Sequence, residues 1–238
     1  SLLDQIEKQQ DKDHCKKGDT NAQAWKVKNG GVANVVVWIK APGNKFFKLP
    51  EELTNLQGKF AEVDQPFCAF EPHVLVLFPS YYDPTTKGRK ATGQKLKVKN
   101  SAPMPHNTRV TGSSLINPGR SPTLPPKREE VFDIKLDTQY ITLNCDYHKW
   151  MTGFAWTFDH PFAAVSKGDR KEDEMSYGSY EIAKIPADAA LEVWAWHEAN
   201  PSFTAGGMSA AGAVNGVKIA DMTFKDGENT LDIKVKAK

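Results

Sequence analysis

Three side chains that can bind a metal occur at a regular spacing in the second half of the chain. Cys145, His148 and Met151 form the run C-x-x-H-x-x-M between the predicted strands Tyr140 to Leu143 and Phe154 to Phe158. The ends of neighbouring strands fix the width of such a loop, so it can aim a thiolate, an imidazole and a thioether at one point. Zinc seldom takes methionine, whereas two imidazoles, one thiolate and a weak axial thioether describe an electron-transfer copper site.

A site of that kind needs a second histidine, and the best candidate is His106. It follows the predicted strand Leu96 to Lys99 through the turn Pro103-Met104-Pro105, which its prolines stiffen. His106 is far from Cys145 in sequence, but neighbouring strands of a Greek-key sandwich bring remote segments together at one end. The alternative is that these side chains merely pack or face solvent.

The elements that must position these side chains are short runs of β-forming residues. Examples are Ala33 to Ile39, His73 to Phe78 and Val131 to Leu136, and turn signals such as Asn29-Gly30-Gly31 and Pro42-Gly43-Asn44 separate the runs. This pattern of short strands separated by turns predicts an all-β sandwich or barrel.

The metal-binding motifs resemble those of a known family. The strand ending at Asn100, the run Pro103 to Asn107 and the loop Cys145 to Met151 occur in the order found in cupredoxins. The short ligand loop is most similar to that of the amicyanins, with Lys149 in place of their proline. The resemblance covers about residues 74–158, and Trp25 to Lys40 would supply the opening strands.

The resemblance implies a ligand set for one type 1 copper ion. His106, Cys145 and His148 would be the equatorial ligands and Met151 the axial ligand. Asn107, next to the first ligand, would hydrogen-bond and brace the ligand loop.

The strand pattern restarts after Asp159, which predicts two domains. Residues 1–158 would form a Greek-key cupredoxin β-sandwich with a polar N-terminal extension, in which we expect little core. Residues 159–238 would form a smaller β-sandwich. The segment Gly178 to Glu198 is similar to transthyretin-like or carboxypeptidase-regulatory-like modules.

A site with four protein ligands has no open position for substrate, so we expect a one-electron carrier and no enzyme. We expect His148 to reach the surface and to be the route for electrons, with redox partner proteins docking transiently beside it. Pro103, Met104, Pro105 and Trp150 would form an apolar collar for that contact. A basic cluster would steer an acidic partner, and it consists of Lys87, Arg89, Lys90, Lys95, Lys97 and Lys99.

The composition limits the other functions. The 238-residue chain has 31 basic and 29 acidic residues, so no global field favours nucleic acid or a membrane surface. It has no apolar run long enough to span a membrane, and residues 1–10 lack the features of a signal peptide. We expect a mature exported protein, periplasmic or extracellular, whose leader has been removed.

Cys15 and Cys68 remain after Cys145 is assigned to the metal. In an oxidising compartment they would form a disulfide between the polar N-terminus and the sandwich. The alternatives are two free thiols, or a second metal site completed by His14 and His73.

Two other functional classes stay open. One is an extracytoplasmic binding or structural protein that holds copper or a partner without rapid electron transfer. The other is a copper enzyme, which is least favoured because the six histidines leave few for a further copper centre.

Overall fold

Strands dominate the computed structural model, which describes residues 2–168 and 171–237, so the predicted all-β class is confirmed. The α-helices are single turns: α1 (Leu3–Ile6), α2 (Lys12–Cys15) and α3 (Glu51–Thr54). Turns of 3₁₀ helix lie at Pro42–Asn44 and Lys171–Ser176. Within the described ranges, no helix has the length and hydrophobicity that crossing a membrane requires.

The strands are two to seven residues long. In chain order they are β1 (Val27–Lys28), β2 (Gly31–Val32), β3 (Val36–Lys40), β4 (Phe60–Val63), β5 (Val74–Leu77), β6 (Ser80–Asp83), β7 (Gly88–Ala91), β8 (Lys95–Asn100), β9 (His106–Asn107), β10 (Arg109–Thr111), β11 (Thr123–Leu124), β12 (Arg128–Phe132), β13 (Ile141–Asn144), β14 (Thr152–Thr157), β15 (Ala163–Val165), β16 (Ala190–Trp196), β17 (Ser202–Ala205), β18 (Met208–Ala211), β19 (Val217–Thr223) and β20 (Lys234–Lys236).

The chain divides into two compact units, each built from several segments. The first contains Ser1–Gln23, Glu51–Tyr81 and Lys90–Asp159, and the second contains the rest. The predicted boundary after residue 158 differs from this division, because the segments Ala24–Pro50 and Tyr82–Arg89 belong to the second unit.

The first unit is a sandwich of a four-stranded and a three-stranded sheet. The strand orders are β10-β13-β14-β5 and β12-β8-β4, and β9 pairs separately with β11. Both sheets contribute to one hydrophobic core; Leu96 and Val98 come from β8, and Ile141 and Leu143 come from β13. The alternation of these residues with more polar neighbours is why each strand buries a single face.

The polar N-terminal segment takes part in this core, contrary to the prediction that it would add little. Ile6 is 2% exposed and Cys15 is 1% exposed, and both belong to the core cluster of the first unit. The physical reason is the disulfide Cys15–Cys68, which ties the segment to the sandwich.

The second unit contains the sheets β15-β3-β16-β19 and β18-β17-β20. The prediction that Trp25 to Lys40 opens the copper-binding sandwich is wrong, because β3 pairs with β15 on one side and with β16 on the other. Four consecutive residues of β3, Val36 to Ile39, are buried. An apolar run of this kind is typical of a strand covered on both faces, and it does not specify which strands are its partners.

Candidate metal centre

The C-x-x-H-x-x-M loop connects two paired strands, as its sequence predicts. β13 and β14 are antiparallel, and Asn144 pairs with Thr152 just outside the loop. Inside it, the N–H of Cys145 donates to the carbonyl of Met151 at 3.3 Å, and the N–H of Met151 donates to the carbonyl of His148 at 2.8 Å. These backbone bonds close the loop, in which the side chains of Cys145, His148 and Met151 are buried.

His106 comes to this loop from β9, where it pairs with Leu124 of β11. The Nδ1 atoms of His106 and His148 are 3.1 Å apart, and each lies 3.8 Å from the Sγ atom of Cys145. The three residues are 0 to 2% exposed. The structure therefore gathers two imidazoles and a thiol at one buried point, within the spacing that a metal ion could bridge.

Met151 lies on the interior side of this loop. It is 1% exposed and belongs to the same core cluster as Cys145.

Burial controls the charge of two of the donors, His106 and Cys145. It lowers the pKa of His106 to about 4, with a smaller contribution from the nearby His148. It also raises the pKa of the Cys145 thiol, and backbone N–H groups of the loop offset part of that increase. At neutral pH the metal-free site thus holds a neutral imidazole and a protonated thiol, and binding a metal as thiolate would release a proton.

Asn107 joins the two motifs through hydrogen bonds. Its Oδ1 accepts from the backbone N–H of Asp146 at 2.6 Å and from the Cys145 thiol at 3.4 Å. Its Nδ2 donates to Ser121 Oγ and to Asp146 Oδ2, both at 2.7 Å. The side chain is buried, so these bonds fix the start of the ligand loop against β9.

The prediction that His148 reaches the surface is wrong. The residue is 2% exposed, and Asp11 of the N-terminal segment places a carboxylate oxygen 2.9 Å from its Nε2. The ring of Trp150 packs edge-on against the same imidazole, with the ring centroids 5.1 Å apart. The edge proposed as the electron route is therefore covered by residues of the first unit.

Sequence reasoning missed Asp11, which lies 137 positions before His148. The segment around it is polar, and no pattern in it links Asp11 to the C-x-x-H-x-x-M loop. The available signal was Cys15, four residues further on, since a disulfide from that cysteine to the sandwich would bring Asp11 toward the core.

The structure contains the predicted disulfide between Cys15 and Cys68. The alternative of a second metal site with His14 and His73 is therefore wrong, because neither sulfur is free to bind a metal. His14 instead lies 2.8 Å, Nε2 to oxygen, from the carbonyl of Pro66.

The residues predicted to meet a partner have mixed environments. In the proposed collar, Pro103 and Pro105 are exposed, whereas Met104 and Trp150 are half-buried. The indole N–H of Trp150 donates to the carbonyl of Cys68 at 3.0 Å. In the basic cluster, Lys97 and Lys99 both form ion pairs with Glu62, which reduces the charge they offer to a partner.

The donor types at this site are ones that copper takes in proteins. Two imidazole nitrogens and one sulfur face each other in a buried site, and the thioether of Met151 lies in the same loop. The Nε2 atom of His106 is also buried, and it has no hydrogen-bond partner among the described residues. The polar contacts given above for the His106 ring are therefore made by its Nδ1 atom.

No protein-family model matches the sequence, and neither does any curated protein. Among solved structures, the chain is similar to the reduced state of an amicyanin mutant at 14% identity and a TM-score of 0.33, covering 51% of this chain and 99% of the other. A second amicyanin mutant in the Cu(I) state gives 15% identity and a TM-score of 0.34, with 51% and 98% covered. A purple cupredoxin from Nitrosopumilus maritimus gives 14% identity and a TM-score of 0.30, with 41% and 99% covered.

Proposed function

We propose that this chain binds one copper ion through His106, Cys145, His148 and Met151, and that it carries single electrons outside the cytoplasm. One observation carries the proposal: the two Nδ1 atoms and the thiol Sγ lie within 3.8 Å of one another in a buried site. Copper bound there would alternate between Cu(I) and Cu(II).

The ligand types favour copper over zinc. Imidazole and thiolate suit both metals, but a thioether as fourth donor is typical of electron-transfer copper. Four protein donors also leave no position for a substrate, so we propose a carrier and no catalytic activity.

The residues around the donors would hold them in a fixed arrangement. Asn107 bonds the ligand loop at Asp146 and Cys145, and the loop closes on itself at Met151. A ligand set that moves little between oxidation states exchanges electrons with a small reorganisation cost, which is the property that a carrier needs.

The proposed location is the periplasm or the extracellular space. The Cys15–Cys68 disulfide supports it, because disulfides persist in oxidising compartments. Redox partner proteins would dock transiently near His148, where Tyr147 is 48% exposed. We also propose that the second unit is a transthyretin-like or carboxypeptidase-regulatory-like module.

A second candidate function is supported by the burial of His148. A carrier whose ligand ring is covered exchanges electrons over a longer path, and a protein that only holds copper or a partner has no need of an exposed ligand. Slow electron self-exchange with normal copper binding would favour this copper-holding protein over the carrier.

The test is the visible absorption spectrum of the protein loaded with Cu(II), compared with the Cys145→Ser variant. We expect a strong thiolate-to-copper band at a ratio of one copper per chain, bleached by ascorbate and absent from the variant. Loading with Zn(II) is the control, because zinc gives no such band. A folded protein that takes up no copper, or whose band persists in Cys145→Ser, would contradict the proposed function.

A further inference from the structure

The N-terminal segment Leu2–Lys17, called the cap below, packs into the first unit at the metal centre. Its two single-turn helices bury Ile6 and Cys15 in the core cluster of that unit. Between them, Asp11 is the residue that immediately precedes α2.

The position of Asp11 is fixed by its backbone. Its carbonyl accepts the N–H groups of His14 at 2.9 Å and of Cys15 at 3.2 Å, which forms the single turn of α2. Its side chain is 24% exposed and places Oδ2 2.9 Å from Nε2 of His148, whose own side chain is 3% exposed.

Three further contacts hold the cap on the ligand loop. The disulfide joins Cys15 to Cys68, and the carbonyl of Cys68 accepts the indole N–H of Trp150 at 3.0 Å. The Trp150 ring then packs against His148. A closed series of bonds and contacts therefore starts and ends at the His148 imidazole. It passes through Asp11, the disulfide and Trp150.

This arrangement selects one tautomer of His148. A carboxylate only accepts hydrogen bonds, so the Nε2–H of the imidazole donates to Asp11 and its Nδ1 carries the free lone pair. That lone pair points to the donor cluster, 3.1 Å from His106 Nδ1 and 3.8 Å from Cys145 Sγ.

His106 and His148 differ in whether their Nε2 atom has a hydrogen-bond partner. The Nε2 atom of His106 has no hydrogen-bond partner in the part of the chain that the structure describes. A carboxylate on the far nitrogen of a ligand histidine fixes the ring and increases its basicity. The Nε2 atom of His148 thus has a carboxylate partner, and that of His106 does not.

We propose that Asp11 is a positioning residue for His148, which holds its Nδ1 ready to bind the metal and favours the higher oxidation state of the bound copper. The second half of this inference rests on the proposed copper-binding function. A negative charge hydrogen-bonded to a ligand stabilises Cu(II) more than Cu(I), because the interaction increases with the charge of the ion.

The first experiment measures the reduction potential of the copper-loaded Asp11→Asn variant, which keeps the size of the side chain and removes its charge. We expect the ratio of Cu(II) to Cu(I) affinity to fall by about tenfold, which raises the potential by about 59 mV for a one-electron couple. Asp13→Asn is the matched control, because Asp13 lies on the same helical turn and is exposed. Asp11→Glu, which restores the carboxylate, should recover part of the shift.

The second experiment needs no copper and uses the unaltered chain as well as the variants. Nitrogen NMR of the imidazoles in the metal-free protein should show His148 as the Nε2–H tautomer with a hydrogen-bonded proton. Asp11→Asn should weaken that signature, and Asp13→Asn should leave it unchanged.

The two experiments separate the positioning role from the copper proposal. If the protein binds no copper, the proposed function fails, and the tautomer of metal-free His148 still decides whether Asp11 positions it. The Nδ1–H tautomer in the unaltered chain would overturn the inference, even if Asp11→Asn failed to fold. Equal reduction potentials for Asp11→Asn and Asp13→Asn would overturn the proposal that Asp11 favours the higher oxidation state of the copper.

Discussion

Asn107 illustrates how one buried amide can organise a metal centre. It uses both ends of its side chain, accepting from Asp146 and Cys145 through Oδ1 and donating to Ser121 and Asp146 through Nδ2. Replacing a buried partner leaves the other groups unsatisfied, which costs about 1–3 kcal/mol. Asn107→Ala should therefore lower the free energy of unfolding by about that amount, as measured by urea denaturation.

The same variant should weaken copper binding by about 10–100-fold, because residues that orient a ligand affect affinity without touching the metal. Competition titration against a copper chelator would measure the change. Asn21→Ala is the control, since Asn21 is exposed and its hydrogen bonds within the described ranges are to Asp19 and Gln23. Equal affinities for the two variants would mean that Asn107 does not brace the site.

At the scale of elements, the cap depends on a disulfide that links residues 53 positions apart. Closing a loop of that length restricts the unfolded chain and stabilises the folded state by about 4 kcal/mol in the chain-entropy model. The double variant Cys15→Ser with Cys68→Ser should therefore unfold at lower urea concentration. It should also expose His148, because the cap would be held only by hydrogen bonds and packing.

Reaction of His148 with diethyl pyrocarbonate, located by mass spectrometry, would measure that exposure. The unaltered protein treated with a dithiol should behave like the double variant, and the untreated protein should remain protected. Protection of His148 in the double variant would show that the disulfide is not needed to keep the cap in place.

At the scale of the whole molecule, the chain passes from one unit to the other more than once. β3 lies between β15 and β16 in its sheet, although it precedes them by more than a hundred residues. We predict that neither residues 1–158 nor residues 159–238 fold alone. The first fragment leaves the apolar strand β3 without partners, and the second lacks an inner strand of its sheet.

Proton–nitrogen NMR spectra of the separate fragments should show poor dispersion, and refolding the two together should restore the peaks of the intact chain. The intact chain under the same conditions is the reference. A well-dispersed spectrum of residues 1–158 alone would show that β3 can be accommodated without the C-terminal strands.

The sequence by itself determined the all-β class and the local form of the ligand loop. Strand and turn signals are local, and a C-x-x-H-x-x-M run between two β-forming segments needs only those segments to bring its side chains together. The place of His106 beside this loop was predicted from a second motif and a family resemblance, and the structure brings the two together.

Only the tertiary structure decided what covers the loop and which strands are partners. Asp11 reaches His148 because the disulfide and the burial of Ile6 and Cys15 hold the cap in place, and the polar composition of the cap does not encode that contact. The apolar pattern of β3 predicted burial but could not predict its neighbours in the sheet. Side-chain periodicity records which face is buried, whereas pairing between remote segments depends on the packing of the whole chain.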